Sequence, residues 1–180
     1  MLKQGDSVYV YSNSLISKMI VWVSSGGKHT KDIPSHEARI NKIIDDKAEL
    51  IEVVFSGKRL YNLENYIKQG CQIWIKRDDM LDNANAIVML NYLRNLEVKG
   101  YDFGLICGFL ARFTLRKIFP RKWNFDWITK VWDSRIAFVC SEFQNAGRRY
   151  MYMKIKENET PYDNFRKIPA EEITEYNIPT

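Results

Sequence analysis

The sequence predicts an α+β fold in which a small antiparallel, barrel-like sheet packs against helices. Three observations carry that expectation. The elements run strand, helix, several strands, helix, helix, without the regular strand–helix alternation of a parallel sheet. Short turn signals, Asp45-Asp46-Lys47 and Ser56-Gly57, separate extended segments and favour antiparallel pairing. Finally, 180 residues, 46% hydrophobic and 27% charged, suit one core and are too few for two comfortable ones. The expected organisation is one domain over 1–180, with a basic helical insertion near 104–123 and an extended tail over 157–180.

Ser7 to Tyr11 follows the Gly5-Asp6 turn and reads as a strand. Residues 14–23 read as a short, mostly buried helix, stopped by Ser24-Ser25-Gly26-Gly27. From His36 the pattern is extended. Asp45-Asp46-Lys47 turns the chain, and Leu50 to Phe55 returns it as a hairpin. Leu63 to Lys68 has room for one or two helical turns, and Cys71 to Ile75 is a further strand. Asp82 or Asn83 caps a helix whose apolar stripe is Ala86, Met89, Leu90, Leu93 and Leu96, with Gly100 as its stop. Residues 103–119 are apolar with basic interruptions and read as helical until Pro120. A last helix lies between Ser134 and Tyr150. Either Asp133 or Ser134 caps it, or the chain stays irregular until Cys140. The acidic tail after Glu157 is expected to wrap the surface in extended form.

Composition narrows the function classes. The net charge of +5 permits an anionic partner without requiring one. No run reaches the roughly 18 apolar residues of a membrane-spanning helix, and Met1 to Asp6 has no signal-peptide core, which gives a cytoplasmic expectation. Cys71, Cys107 and Cys140 are odd in number and widely spaced, which disfavours a disulfide framework; with only two histidines, a zinc site is also disfavoured. No metal or organic cofactor is expected.

The chemistry rests on His36, Glu52 and Cys140. His36 starts a strand, Glu52 sits on the return strand, and Cys140 lies in Phe138-Val139-Cys140-Ser141-Glu142-Phe143 at or near a helix start. A thiol at a helix N-terminus feels the positive end of the dipole, which favours the nucleophilic thiolate. A neighbouring imidazole favours it further and later protonates the leaving group. A carboxylate can fix the imidazole's tautomer. Cysteine on a helix with histidine and carboxylate on strands is the papain-type arrangement. One geometric obstacle stands out. With a three-residue loop at Asp45 to Lys47, Glu52 pairs opposite Ile40, on the face of His36 but about 13 Å along the strand. A bulge or slipped register would have to close that gap.

The ordered segments resemble the YiiX/YaeF-like family of circularly permuted papain-like (NlpC-type) hydrolases. The segments are Gly5-Asp6 with its strand, Ser17 to Ile20, Ser35-His36, Ile51-Glu52-Val53-Val54, Leu63, Tyr66-Ile67, Ile73 to Arg77, Gly100-Tyr101-Asp102-Phe103 and Cys140-Ser141-Glu142. They span about residues 4–150. The resemblance implies a permuted papain-like fold with Cys140 as nucleophile, His36 as general base and Glu52 as the orienting third residue. It also implies that Tyr101, Asp102 and Ser35 line or brace the site, with the backbone N–H of Cys140 a candidate oxyanion donor. The chain departs from the family in three ways. Ala38 stands where the family often has Gly, the stretch from Asp102 to Cys140 is longer and basic, and the signal peptide common in bacterial members is missing.

The implied activity is cleavage of an amide or ester, of peptide or acyl-lipid type, through an acyl-enzyme on Cys140. An acyltransferase differs only in the acceptor. The rival reading is a non-catalytic lipid- or protein-binding module on the same fold. Arg112, Arg116, Lys117, Arg121 and Lys122 are interleaved with Phe109, Leu110, Phe113, Ile118 and Phe119, without an acid among them. That pattern suits contact with an anionic membrane or an acyl substrate, or a helix with a solvated basic face. Nucleic acid is disfavoured because no RNA- or DNA-binding motif accompanies these residues.

Overall fold

The computed structural model describes residues 1–25, 30–79, 81–98, 100–101, 111, 115, 137–138, 140–151, 160–167 and 170–175. Strand β1 (Ser7–Tyr11) is followed by helix α1 (Leu15–Ser24), β2 (His36–Ile44), β3 (Lys47–Val54), β4 (Gly57–Asn62), α2 (Leu63–Lys68), β5 (Gln72–Asp78) and α3 (Asn83–Asn95). Then come β6 (Gly100–Tyr101), β7 (Ala137–Phe138), α4 (Cys140–Tyr150), α5 (Pro161–Lys167) and β8 (Ala170–Glu175). Six strands form an antiparallel sheet in the order β4-β3-β2-β1-β5-β8, and β6 and β7 make a separate parallel pair. The mixed α+β class and the antiparallel sheet are as the sequence implies. Within the described residues the sheet has two edges, β4 and β8. No described helix is long and apolar enough to cross a membrane.

β1 is central because every one of its residues is buried. Alternation sends Val8 and Val10 to one face, where they join Ala38, Ile40, Leu50, Ile73 and Ile75 under Leu63 and Tyr66 of α2. Tyr9 and Tyr11 face the other way, clustered with Val21, Ile33 and Trp74, and Tyr162 and Phe165 of α5 pack against them. On β3, Ile51 and Val53 meet Met89, Leu90 and Leu93 of α3 and Phe143 of α4. A Cβ at Gly147 would lie 3.0 Å from carbons of Leu93 and Met89, so a glycine there lets α3 and α4 approach closely.

Between α4 and the sheet lies a seam of buried charge. Arg148, Glu37 and Arg39 are all fully buried. Arg148 pairs with Glu37 at 2.5 Å and lies 3.8 Å from Asp78. It also donates to Asn145 at 3.1 Å, Ser7 at 3.1 Å and Tyr9 at 3.4 Å. Arg39 donates to the Gly5 carbonyl at 2.8 Å and to Gln144 at 3.3 Å, and Gln144 donates to the Ile51 carbonyl at 3.1 Å. Asn164 of α5 donates to Glu37 at 2.7 Å. Burial and the neighbouring Arg148 charge push the Arg39 guanidinium down to about 10.

The hairpin of β2 and β3 removes the geometric obstacle seen in the sequence. The turn has two residues, not three. Asp45 and Asp46 take φ of 48° and 60°, and Ile44 pairs with Lys47. Positive φ at both central residues is the twist-compatible hairpin turn, which Asp tolerates. A bulge at Asn41 then moves the register once more, so that Arg39 pairs with Ile51. Extended by one pair, that register sets Glu52 opposite Ala38, one same-face step of roughly 7 Å from His36. Arg94 of α3 holds the bulge through the Asn41 side chain at 2.7 Å and its carbonyl at 3.2 Å, and Gln4 adds a bond to that carbonyl at 2.8 Å.

Several elements differ from expectation. β4 is a strand the polar sequence concealed, because an edge strand needs only one neighbour and stays half-exposed. α1 is less buried than its apolar sequence implies, with Leu15 74% and Ile16 50% exposed. α4 begins at Cys140, with β7 just before it, which settles the alternatives for its start. The tail is not uniformly extended. Thr160 and Asp163 form a reciprocal cap, Thr160 accepting from the Asp163 N–H at 3.1 Å and Asp163 accepting from the Thr160 N–H at 3.1 Å, with Pro161 at the first helical position. β8 then pairs with β5. The proposed basic insertion over 104–123, including Arg112, Arg116, Lys117, Arg121 and Lys122, lies outside the described residues apart from the backbone state of 111 and 115. Cys107 lies outside them too.

Removing one partner of a buried ion pair strands the other, so Arg148→Met is expected to lower the urea unfolding free energy by ~3–5 kcal/mol. Lys42→Met, which breaks the exposed Lys42–Glu49 pair, should cost under ~1 kcal/mol. Equal losses in the two variants would contradict the seam's structural role.

Candidate active site

His36 opens β2, Glu52 lies on β3, Arg59 on β4, Tyr66 on α2, and Cys140 is the first residue of α4. The Glu52 side chain is fully buried and accepts three hydrogen bonds. His36 Nε2 lies 2.7 Å from Oε2, and the Tyr66 hydroxyl donates to the same oxygen at 2.8 Å. Arg59 Nε donates to Oε1 at 2.7 Å. Arg59 in turn lies over the Tyr61 ring at 4.0 Å, and Tyr61 and Tyr66 meet edge-to-face at 5.0 Å. The carboxylate is therefore held from the strand beside it, from the helix over it and by the imidazole it faces.

The electrostatics follow from those partners. Burial raises the Glu52 carboxyl, but the His36 charge and the hydrogen bonds from His36, Tyr66 and Arg59 outweigh it and hold the group below its usual value. Burial lowers the His36 imidazole, but the charge of Cys140, the charge of Glu52 and a hydrogen bond to each raise it to about 10. Burial and the Glu52 charge push the Tyr66 hydroxyl up, so it remains a donor. The imidazole of His36 thus meets the Glu52 carboxylate directly, and Cys140, 1% exposed, is the other group whose charge acts on it. Cys71, by contrast, sits in the apolar cluster under α2, where burial pushes its thiol up.

Ser35 is buried beside His36. Its hydroxyl donates to Ser17 at 2.8 Å or to the Val10 carbonyl at 3.2 Å, and Ser12 and Ser17 share a further bond of 2.7 Å. These serines border a cavity of about 160 Å³ next to His36, between α1 and the β3–β4 turn. Tyr101 is placed by its backbone. The β6–β7 register sets it opposite Phe138, two residues before Cys140. Asp102 lies outside the described residues. Among the described residues, no group of three or more His, Cys, Asp or Glu side chains is arranged to hold a metal ion.

Arg59 and Tyr66 are site residues that the sequence did not single out for this role. A signal for Arg59 was available. A tight turn at Phe55-Ser56 pairs Val54 with Gly57 and sets Arg59 directly opposite Glu52. Recognising it required reading a polar segment as a strand. Tyr66 has no comparable local signal, because its contact depends on how α2 folds back over the sheet.

No protein-family model matches the chain, and no curated protein matches it. Among solved structures it is similar to the metalloprotein YiiX of Escherichia coli O157:H7, which carries the designation DUF1105. The TM-score is 0.55 at 16% identity, over 94% of this chain and 86% of that one. The likeness shows a YiiX-like fold.

The imidazole offers a direct check. The chain has only two histidines, so their ring signals are separable by NMR. In the native protein His36 should titrate near 10 rather than 6.5. In Glu52→Gln its midpoint should fall by more than about one unit, since burial then acts against less compensating charge. The sign for stability follows: this group's contribution is complete below about 6.5 and is lost as pH rises through about 10. A native midpoint near 6.5 would contradict the geometry.

Proposed function

We propose that the chain is a cysteine hydrolase of permuted papain-like type, cleaving an amide or ester through an acyl-enzyme on Cys140. The observation that carries this reading is the 2.7 Å contact of His36 Nε2 with the buried Glu52 carboxylate, on an imidazole that also feels the charge of Cys140. The YiiX-like fold and the chain order His36, Glu52, Cys140 support it.

With Nε2 engaged by Glu52, the other ring nitrogen serves the thiol. In the proposed reaction Sγ, with its proton already held on the His36 imidazole, forms a bond to the substrate carbonyl carbon while the carbonyl electron pair moves onto oxygen. The backbone N–H of Cys140, the first residue of α4, is the donor assigned to that oxygen in this reading. The tetrahedral species collapses, the bond to the leaving amine or alcohol breaks, and the imidazolium returns its proton to the leaving group. Water then attacks the thioester, giving its proton to His36, and the acid leaves as Sγ regains the electron pair. Glu52 keeps the ring oriented and stabilises its charged form. An acceptor other than water makes the same sequence an acyl transfer.

The similar YiiX structure is described as that of a metalloprotein. In this chain the Glu52 oxygens are engaged by His36, Tyr66 and Arg59, and the described residues form no three-ligand cluster. No step is assigned to a metal.

The test is the alkylation rate of each cysteine against pH, read by mass spectrometry. Cys140 should react well below pH 8 and Cys71 only slowly, since burial raises its thiol. His36→Ala should slow Cys140 by about tenfold or more near neutral pH, in line with the loss of an adjacent base. A Cys140 that reacts no faster than Cys71, or that is indifferent to His36, would remove the enzyme reading.

A further inference from the structure

The cavity beside His36 bears on what the enzyme would accept. Ile16 and Ile20 of α1 line it from one side, Val54 and Phe55 of the β3–β4 turn from the other, and His36 is itself part of the lining. We infer that this groove holds the apolar chain of an unbranched acyl substrate while the carbonyl at the chain's head meets Cys140. The inference rests on the thiol–imidazole chemistry proposed above and names the substrate class for that site.

Three features favour an acyl chain over a peptide. First, the polar groups along the groove already satisfy one another. Ser35 bonds to Ser17, and Ser17 to Ser12. A ligand that needs many hydrogen bonds gains little from such a wall, whereas a hydrocarbon chain loses none there. Second, the chain exposes large apolar side chains at the mouth. Ile16 is 50% and Phe55 75% exposed, and both line the groove. Exposed hydrocarbon lining a groove beside the candidate base His36 is what an amphiphilic substrate would cover. Third, the size is limited. A volume of about 160 Å³ takes about five water-sized groups, and a methylene is of similar size. That room suits a chain of about six carbons, counted from the carbonyl, with any remainder lying across the apolar mouth.

In the reaction the ester bond breaks, the acyl group passes to Sγ, the alcohol leaves with the proton held on His36, and water releases the acid. The groove sets which acyl group reaches that point and takes no part in the bond changes.

The experiment compares kcat/KM for 4-nitrophenyl esters from acetate to decanoate with that for an N-acetyl dipeptide 4-nitroanilide, using the full chain. Each added methylene should raise kcat/KM about fourfold, the value of a buried CH₂, up to about hexanoate, and little beyond. Ile20→Trp, which fills the groove, should move the plateau to shorter chains. Phe55→Ala, at an exposed position, should flatten the rise without threatening the fold. His36-dependent alkylation of Cys140 in the native chain, measured alongside, reads the chemistry separately from the groove. Intact, His36-dependent alkylation with a flat chain-length profile, with no ester cleaved, or with the dipeptide preferred overturns the groove alone. Loss of the His36 dependence in the native chain overturns the chemistry beneath it as well.

Discussion

Helix α4 is fixed to the sheet by charge as much as by hydrocarbon. Its buried side includes Gln144, Asn145 and Arg148 as well as Phe143. Two guanidiniums, Arg39 and Arg148, lie among two carboxylates, Glu37 and Asp78, so the formal charges of this group cancel inside the protein. A buried ion cluster adds little net stability over an apolar contact of the same volume, because desolvation offsets the attraction. Its geometry is more demanding. Apolar side chains can slide by an ångström and remain in contact, whereas the bonds from Gln144 to the Ile51 carbonyl and from Arg148 to Ser7 hold only in one placement of the helix. The first residue of that helix is Cys140. The helix that carries the candidate nucleophile is thus located by directional contacts to the strands that carry its partners.

The carboxylate side of the site depends on a different device, a single extra residue in β2. Without the bulge at Asn41 the β2–β3 register would place Glu52 one residue further from His36 and on the opposite face, because one residue of slip inverts every side chain of a strand. Arg94, Gln4 and Glu49 all bond to Asn41, so the bulge is held from α3, from the N-terminal segment and from the facing strand. The chemistry at one end of the hairpin is set by a residue well away from it.

This division explains what the sequence made legible. Alternation and turn residues were sufficient for β1, β2, β3, β5 and the stripe of α3, where burial of one face selects the residues. The same cues underestimated the exposure of α1 and passed over β4, whose residues obey no apolar pattern. The two-residue turn is not legible in the sequence because Asp45 and Asp46 both occupy positive φ, which residue type permits but does not announce. His36, Glu52 and Cys140 are nameable from the order of motifs, and the structure sets His36 against Glu52 at 2.7 Å. Arg59, Tyr66 and the charge seam were not, since each depends on contacts between residues far apart in the chain. Buried arginines in particular look like surface residues until a partner carboxylate is placed beside them.

The seam joins widely separated parts of the polypeptide. Ser7 and Arg148 are 141 residues apart, and Glu37 and Asn164 are 127 apart. During synthesis, Glu37 therefore emerges long before Arg148, which pairs with it, and Asn164, which donates to it. Until Arg148 and Asn164 have left the ribosome, the early hairpin must keep that carboxylate in water, and the sheet face destined for α4 cannot close. Loop closure over such spans is slow, so assembly of this face is expected to be a late, post-translational event. A nascent chain arrested before Arg148 would hold the histidine and the glutamate on a formed hairpin yet lack the arginine that fixes the cysteine helix to the sheet.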